Sequence, residues 1–118
     1  MVTMYGIPNC DTVKKARQWL AEHGVDYVFH DFKKSGVPPA LDDWVAQLGW
    51  EPLLNRKGTT WRQLDAAVQA GVHDAASAKA LMLAHPSVIK RPVVEWQGAR
   101  GTPTTVGFKA DDWSAIKG

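Results

Sequence analysis

The chain opens with a strand, a turn and a helix, then a second strand, all within about 30 residues, the length of one βαβ unit. Val2-Thr3-Met4-Tyr5 is a β-prone run ended by Gly6 and Pro8. Val13, Ala16, Trp19, Leu20 and His23 then recur at spacings of three and four, with Lys14, Lys15, Gln18 and Glu22 on the other face. That pattern predicts an amphipathic helix closed at Gly24. Asp26 to Phe32 mixes β-branched and aromatic residues and reads as the second strand. Two strands joined through a helix are parallel, with a right-handed crossover.

The middle of the chain reads as helical. Pro38 and Pro39 precede Leu41, Trp44, Val45 and Leu48, a helical stripe closed by Gly49. After the polar loop Asn55-Arg56-Lys57-Gly58-Thr59, Thr60 and Gln63 have capping-box spacing. One helix is predicted from there through Trp61, Leu64 and Val68, stopped by Gly71. Asp74 is the candidate N-cap of another, carrying Ala78, Leu81, Met82 and His85 and stopped by Pro86. His85 lies on the apolar stripe and is expected to be packed.

The end returns to β. Val88-Ile89 and Val93-Val94-Glu95-Trp96 flank Pro92, Gly98 to Gly101 reads as a turn-like loop, and Thr104 to Phe108 is a further strand. An antiparallel hairpin is predicted, then a helix capped by Asp111 and carrying Trp113 and Ile116. The expected fold is α/β: a β-α-β and a β-β-α unit around one small, four-stranded mixed sheet, with a helical insertion over about residues 38–87. At 118 residues and 45% hydrophobic, the chain suits one domain, 1–118, with a real core.

Other classes are disfavoured. Net charge is +2, too mild to argue for nucleic acid. No apolar run reaches the roughly 18 residues of a membrane span, and the opening residues lack the pattern of a secretory signal. The chain has one cysteine, which excludes an internal disulfide and a multi-cysteine zinc site. His23, His30, His73 and His85 show no metal-ligand spacing, so no metal is expected.

That cysteine, Cys10, is the sharpest chemical feature. It stands in the turn between the first strand and the first helix, where backbone N–H groups lack intrahelical partners and the helix dipole is positive. Lys14, one helical turn on, is a candidate to depress its pKa further. A dithiol motif would put a second cysteine at position 13, which is Val13. The thiol can attack a disulfide once, and an external thiol must resolve the product. Arg91-Pro92 and Asn55-Arg56-Lys57 are further candidates, as an anion contact at a strand start and as a basic loop.

Tyr5 to Arg17, Leu53 to Arg56, Ile89 to Pro92 and Val106 to Phe108 together resemble the arsenate reductase (ArsC-like) family, over essentially the whole chain. The likeness is closest to its YffB-like branch of glutathione-dependent thiol reductases, with Spx-type regulators as further relatives. The resemblance implies a thioredoxin-like core with Cys10 as nucleophile. It also implies a cis bond before Pro92, bringing the Arg91 guanidinium to Cys10. Asn9, Lys14, Asn55 and Arg56 are then further substrate-binding candidates.

Arsenate reductases of the family place a histidine where this chain has Gly6 and a serine where it has Val13. Of their three oxyanion arginines, Arg91 matches one. Asn55 and Gly107 stand at the other two, with Arg56 and Arg100 near in sequence. The expectation is therefore a cytoplasmic monothiol oxidoreductase with no bound cofactor and glutathione as co-substrate. The alternatives are an arsenate reductase working with glutaredoxin, or an Spx-like regulator that binds RNA polymerase and is not an enzyme.

Overall fold

The structure, a computed structural model, describes residues 2–96 and 103–117. The predicted loop Gly98 to Gly101 and the candidate Arg100 lie outside the described residues. The chain forms two compact units, Met1–Phe32 with Arg91–Gly118, and Lys33–Lys90. The boundaries of the second extend a few residues beyond the predicted insertion at each end.

The first unit contains the sheet. Strand β1 (Val2–Gly6) leads to helix α1 (Asp11–Glu22) and strand β2 (Tyr27–Asp31), and β1 and β2 are parallel. Strands β3 (Val93–Glu95) and β4 (Thr104–Val106) form the antiparallel hairpin, and β3 also pairs antiparallel with β1. The order β2-β1-β3-β4 is a mixed four-stranded sheet. Phe32, expected at the end of the second strand, instead opens the single helical turn α2 (Phe32–Ser35).

Helix α1 forms because its apolar stripe is its buried face: Val13, Ala16, Trp19 and Leu20. It stops at a six-residue bonding pattern. Gly24 adopts φ +66°, its N–H bonds the Ala21 carbonyl, and the Val25 N–H bonds the Leu20 carbonyl. Val2 and Met4 of β1 and Val94 of β3 pack in the same core. The last helix of this unit (Ala110–Lys117) places Trp113 edge-on to Trp19, Trp96 and Phe108, at centroid distances of 5.5, 4.9 and 4.7 Å. The Trp96 indole N–H donates to Thr105 Oγ1 at 2.9 Å, so a large apolar ring is buried with its polar atom satisfied.

The second unit is helical: α3 (Leu41–Leu48), α4 (Thr59–Gln63), α5 (Ala66–Ala70) and α6 (Ala75–Ala84); the final helix of the chain is then α7. The single helix predicted from Thr60 to Gly71 is two short ones. The N-cap falls at Gly58, Leu64 is extended at φ −73°, ψ 147°, and Asp65 starts α5. Neither piece has a buried residue, so no burial holds one continuous rod together. His85 is exposed at the C-cap of α6 and not packed as expected. Val88 closes a 3-10 turn (Pro86–Val88), and Ile89 makes an isolated antiparallel bridge to Leu54, so neither belongs to a strand. Pro86 favours that tight turn, since its ring fixes φ and removes a donor.

Candidate active site

Strand register brings Cys10 and Arg91 to the same end of the sheet. Strand β1 ends at Gly6, and a turn follows in which the Cys10 N–H bonds the Ile7 carbonyl at 3.2 Å. The exposed Asn9 sits in that turn. Strand β3 runs antiparallel to β1 with Val93 opposite Tyr5. The residues just before Val93, Arg91 and Pro92, therefore lie at the end of the sheet from which the Cys10 turn departs. Their peptide bond is cis. Pro92 is buried, and its carbonyl accepts from the Gly107 N–H at 2.9 Å, extending the β3–β4 pairing to the edge of the site. Deeper in the sheet the Tyr5 hydroxyl donates to Glu95 Oε1 at 2.7 Å. Burial, then the Glu95 carboxylate, pushes that phenol far above its ordinary pKa, so it is a neutral strut between β1 and β3.

Cys10 is the N-cap residue of α1, half-buried, with φ −86° and ψ 128°. Its carbonyl accepts the first helical bond, from the Lys14 N–H at 2.9 Å. The thiol does not act as a side-chain cap, which leaves the first amides of the helix to act on its charged form. Burial pushes the Cys10 pKa up. The Val13 N–H, the hydrogen bond and charge of the Arg91 guanidinium, and the Thr12 N–H together outweigh burial, and the thiol sits below its ordinary value.

The cation acting on the sulfur is Arg91. Lys14, the sequence candidate for that part, is exposed and is not among the groups that lower the thiol. An exposed lysine keeps its hydration and is screened by salt. Arg91 is half-buried with its Nε shielded from solvent, which strengthens its field at the sulfur. The amides of Thr12 and Val13 were anticipated only as a generic property of a helix start.

Asn55 and Arg56 belong to the second unit. Asn55 Oδ1 accepts from the Lys57 N–H at 3.1 Å, and the Asn55 N–H bonds the Val88 carbonyl at 2.8 Å, so this side chain braces its own loop. The exposed Arg56 guanidinium lies 5.6 and 5.8 Å from the ring centroids of Trp50 and Trp61. Among the described residues no group of three or more His, Cys, Asp or Glu side chains is placed to hold a metal, and no helix is long and apolar enough to cross a membrane.

The mixed sheet β2-β1-β3-β4, with Cys10 at the start of the helix that follows β1, is a thioredoxin-like fold. Solved structures agree. The YFFB protein superposes with a TM-score of 0.89 at 51% identity, covering 98% of each chain. An arsenate reductase (ArsC) related protein from Brucella melitensis superposes at 0.72, with 54% identity over 97% of this chain and 92% of its own. The ArsC family model matches residues 5–116, and the chain belongs to the ArsC family. An uncharacterized protein of Haemophilus influenzae is 38% identical, covering 98% of this chain and 97% of its own length. The global transcriptional regulator Spx of Streptococcus pyogenes serotype M6 is 28% identical, covering 98% and 84%.

Proposed function

We propose that the protein is a cytoplasmic monothiol oxidoreductase that reduces disulfides through Cys10 with glutathione as co-substrate. The observation that carries this reading is the Arg91 guanidinium acting on a half-buried thiol whose pKa is already lowered by helix amides. The Cys10 thiolate attacks one sulfur of a substrate disulfide. A new S–S bond forms to Cys10, the old one breaks, and the other half leaves as a thiolate with the bonding pair. Cys10 is the only cysteine in the chain, so a second thiol must come from outside. A glutathione thiolate attacks the substrate sulfur of the mixed disulfide and releases the Cys10 thiolate. A second glutathione frees the remaining substrate thiol and leaves oxidised glutathione, which balances the two electrons. Arg91 offers a two-pronged donor to a carboxylate of glutathione once the sulfur is covalently engaged. A low-pKa lone thiol of this kind suits a reducing compartment.

The experiment is incubation with glutathione disulfide, mass spectrometry for a Cys10–glutathione adduct, and its release by reduced glutathione. A stable or absent adduct overturns the reading. Arsenate with glutathione and glutaredoxin is the comparison substrate, and weak or no turnover is expected, because Gly6 and Val13 replace the residues that tune the cysteine in arsenate reductases and Asn55 replaces an oxyanion arginine. Saturable arsenate turnover lost in Cys10→Ser would replace the glutathione reading. A Cys10 inert at neutral pH would favour the regulator class to which the Spx relatives belong.

A further inference from the structure

Val13, whose N–H is one of the groups lowering the Cys10 thiol, sits against the end of β1. Val13 is fully buried, and its Cγ2 lies 2.9 Å from the point a Cβ on Gly6 would occupy. The next nearest atoms are Val13 Cγ1 at 3.6 Å and Phe29 Cε1 at 3.8 Å. The last residue of β1 and the first turn of α1 therefore meet with no room for a methyl group. A valine in a helix is held to essentially one χ1 rotamer. It cannot relieve pressure by swinging a flexible tip, so a push on its methyls passes to its own backbone, in the first turn of the helix whose N-cap residue is Cys10.

We infer that Gly6 is a positioning residue for Cys10: its bare Cα lets Val13 seat against the end of β1, and that seating fixes where the first-turn amides of α1 stand beside the thiol. The inference rests on reading Cys10 as the reactive group. Its test reads the thiol directly, without a disulfide substrate or glutathione, so failure of the proposed reaction and failure of this positioning are distinguishable.

The test follows alkylation rate and ultraviolet thiolate absorbance against pH for the full chain and three variants. Gly6→Ala is expected to raise the titration midpoint by about 0.5 units or more, slowing alkylation at neutral pH about threefold. In Gly6→Ala/Val13→Ala both Cγ atoms are gone, and the nearest remaining atom is Phe29 Cε1 at 3.8 Å, an ordinary contact. The double variant is expected to return to within about 0.2 units of Val13→Ala alone, a rescue that a merely structural role would not place in the pH profile. If Gly6→Ala does not fold, the double variant folding with the midpoint of Val13→Ala supports the inference equally. A folded Gly6→Ala with an unchanged midpoint overturns it. So does a double variant that keeps the full shift or stays unfolded.

Discussion

Two helices of this molecule begin at a polar residue in extended conformation, and the two beginnings are used differently. At α6, Asp74 accepts from the Ser77 N–H at 2.8 Å while Ser77 Oγ accepts from the Asp74 N–H at 3.1 Å, a closed capping box. At α1, Cys10 makes no such side-chain cap. Both groups are held below their ordinary pKa: Asp74 by Ser77, Cys10 by amides and Arg91 against the opposing effect of burial. The difference lies in what the anion can do afterwards. A carboxylate at a helix start is finished chemistry, whereas a thiolate there is a nucleophile at partial exposure. The first-turn amides close a cap in one case and lower a half-buried thiol in the other.

The largest effect should come from exchanging the reagent for an inert cap. Cys10→Ser is expected to abolish thiol–disulfide exchange while leaving far-UV circular dichroism unchanged. Next in size, Arg91→Ala should raise the alkylation midpoint by about one unit, a tenfold loss of thiolate well below it. Arg91→Lys should recover only part, because an ammonium lacks the planar fork.

Asp74→Ala should break the comparison from the other side. The melting temperature is expected to fall by a few degrees, with the Cys10 midpoint unmoved. The two anions also separate by pH. Asp74 titrates lower when folded, so its contribution is complete above the unfolded value of about 3.9 and is lost as pH falls through the folded value. The Cys10 contribution is absent in acid, enters as pH rises through its folded value, and is complete only above about 8.5. Denaturant melts should show wild type gaining on Asp74→Asn across the acidic window and on Cys10→Ser toward the alkaline one. The smallest effect is expected from Lys14→Ala, a midpoint change under about 0.3 units, because an exposed charge is screened.

The first unit was largely legible because its elements announce themselves locally: alternating β-branched runs, a buried stripe in α1 and a glycine stop. Cys10 was legible for the same reason, as a residue between a strand and a helix. Arg91 was legible only as a candidate anion contact at a strand start; its place beside Cys10 came from the family resemblance, since β3 and β1 meet only through long-range pairing. Lys14 misled because sequence proximity along a helix does not deliver a hydrated side chain to a sulfur. In the second unit the Thr60–Gln63 spacing suggested one capped helix, but with nothing buried on α4 or α5 the cap moved to Gly58 and the rod broke at Leu64. His85 fitted the stripe of α6, yet the helix ends there and the ring turns to solvent.

The interleaving of the first unit, built from the two ends of the chain around Lys33–Lys90, sets an order of events during synthesis. The ribosome delivers β1, Cys10, α1 and β2 first, and a nascent chain ending before Arg91 holds the thiol without its cation. In that chain β1 is also an open edge, because its second neighbour β3 has not been made. The set of groups that lower the Cys10 thiol is therefore complete only when Arg91, Pro92 and β3 emerge together. A polypeptide cut short before that point carries the same cysteine and the same helix amides but lacks the guanidinium that lowers the thiol further.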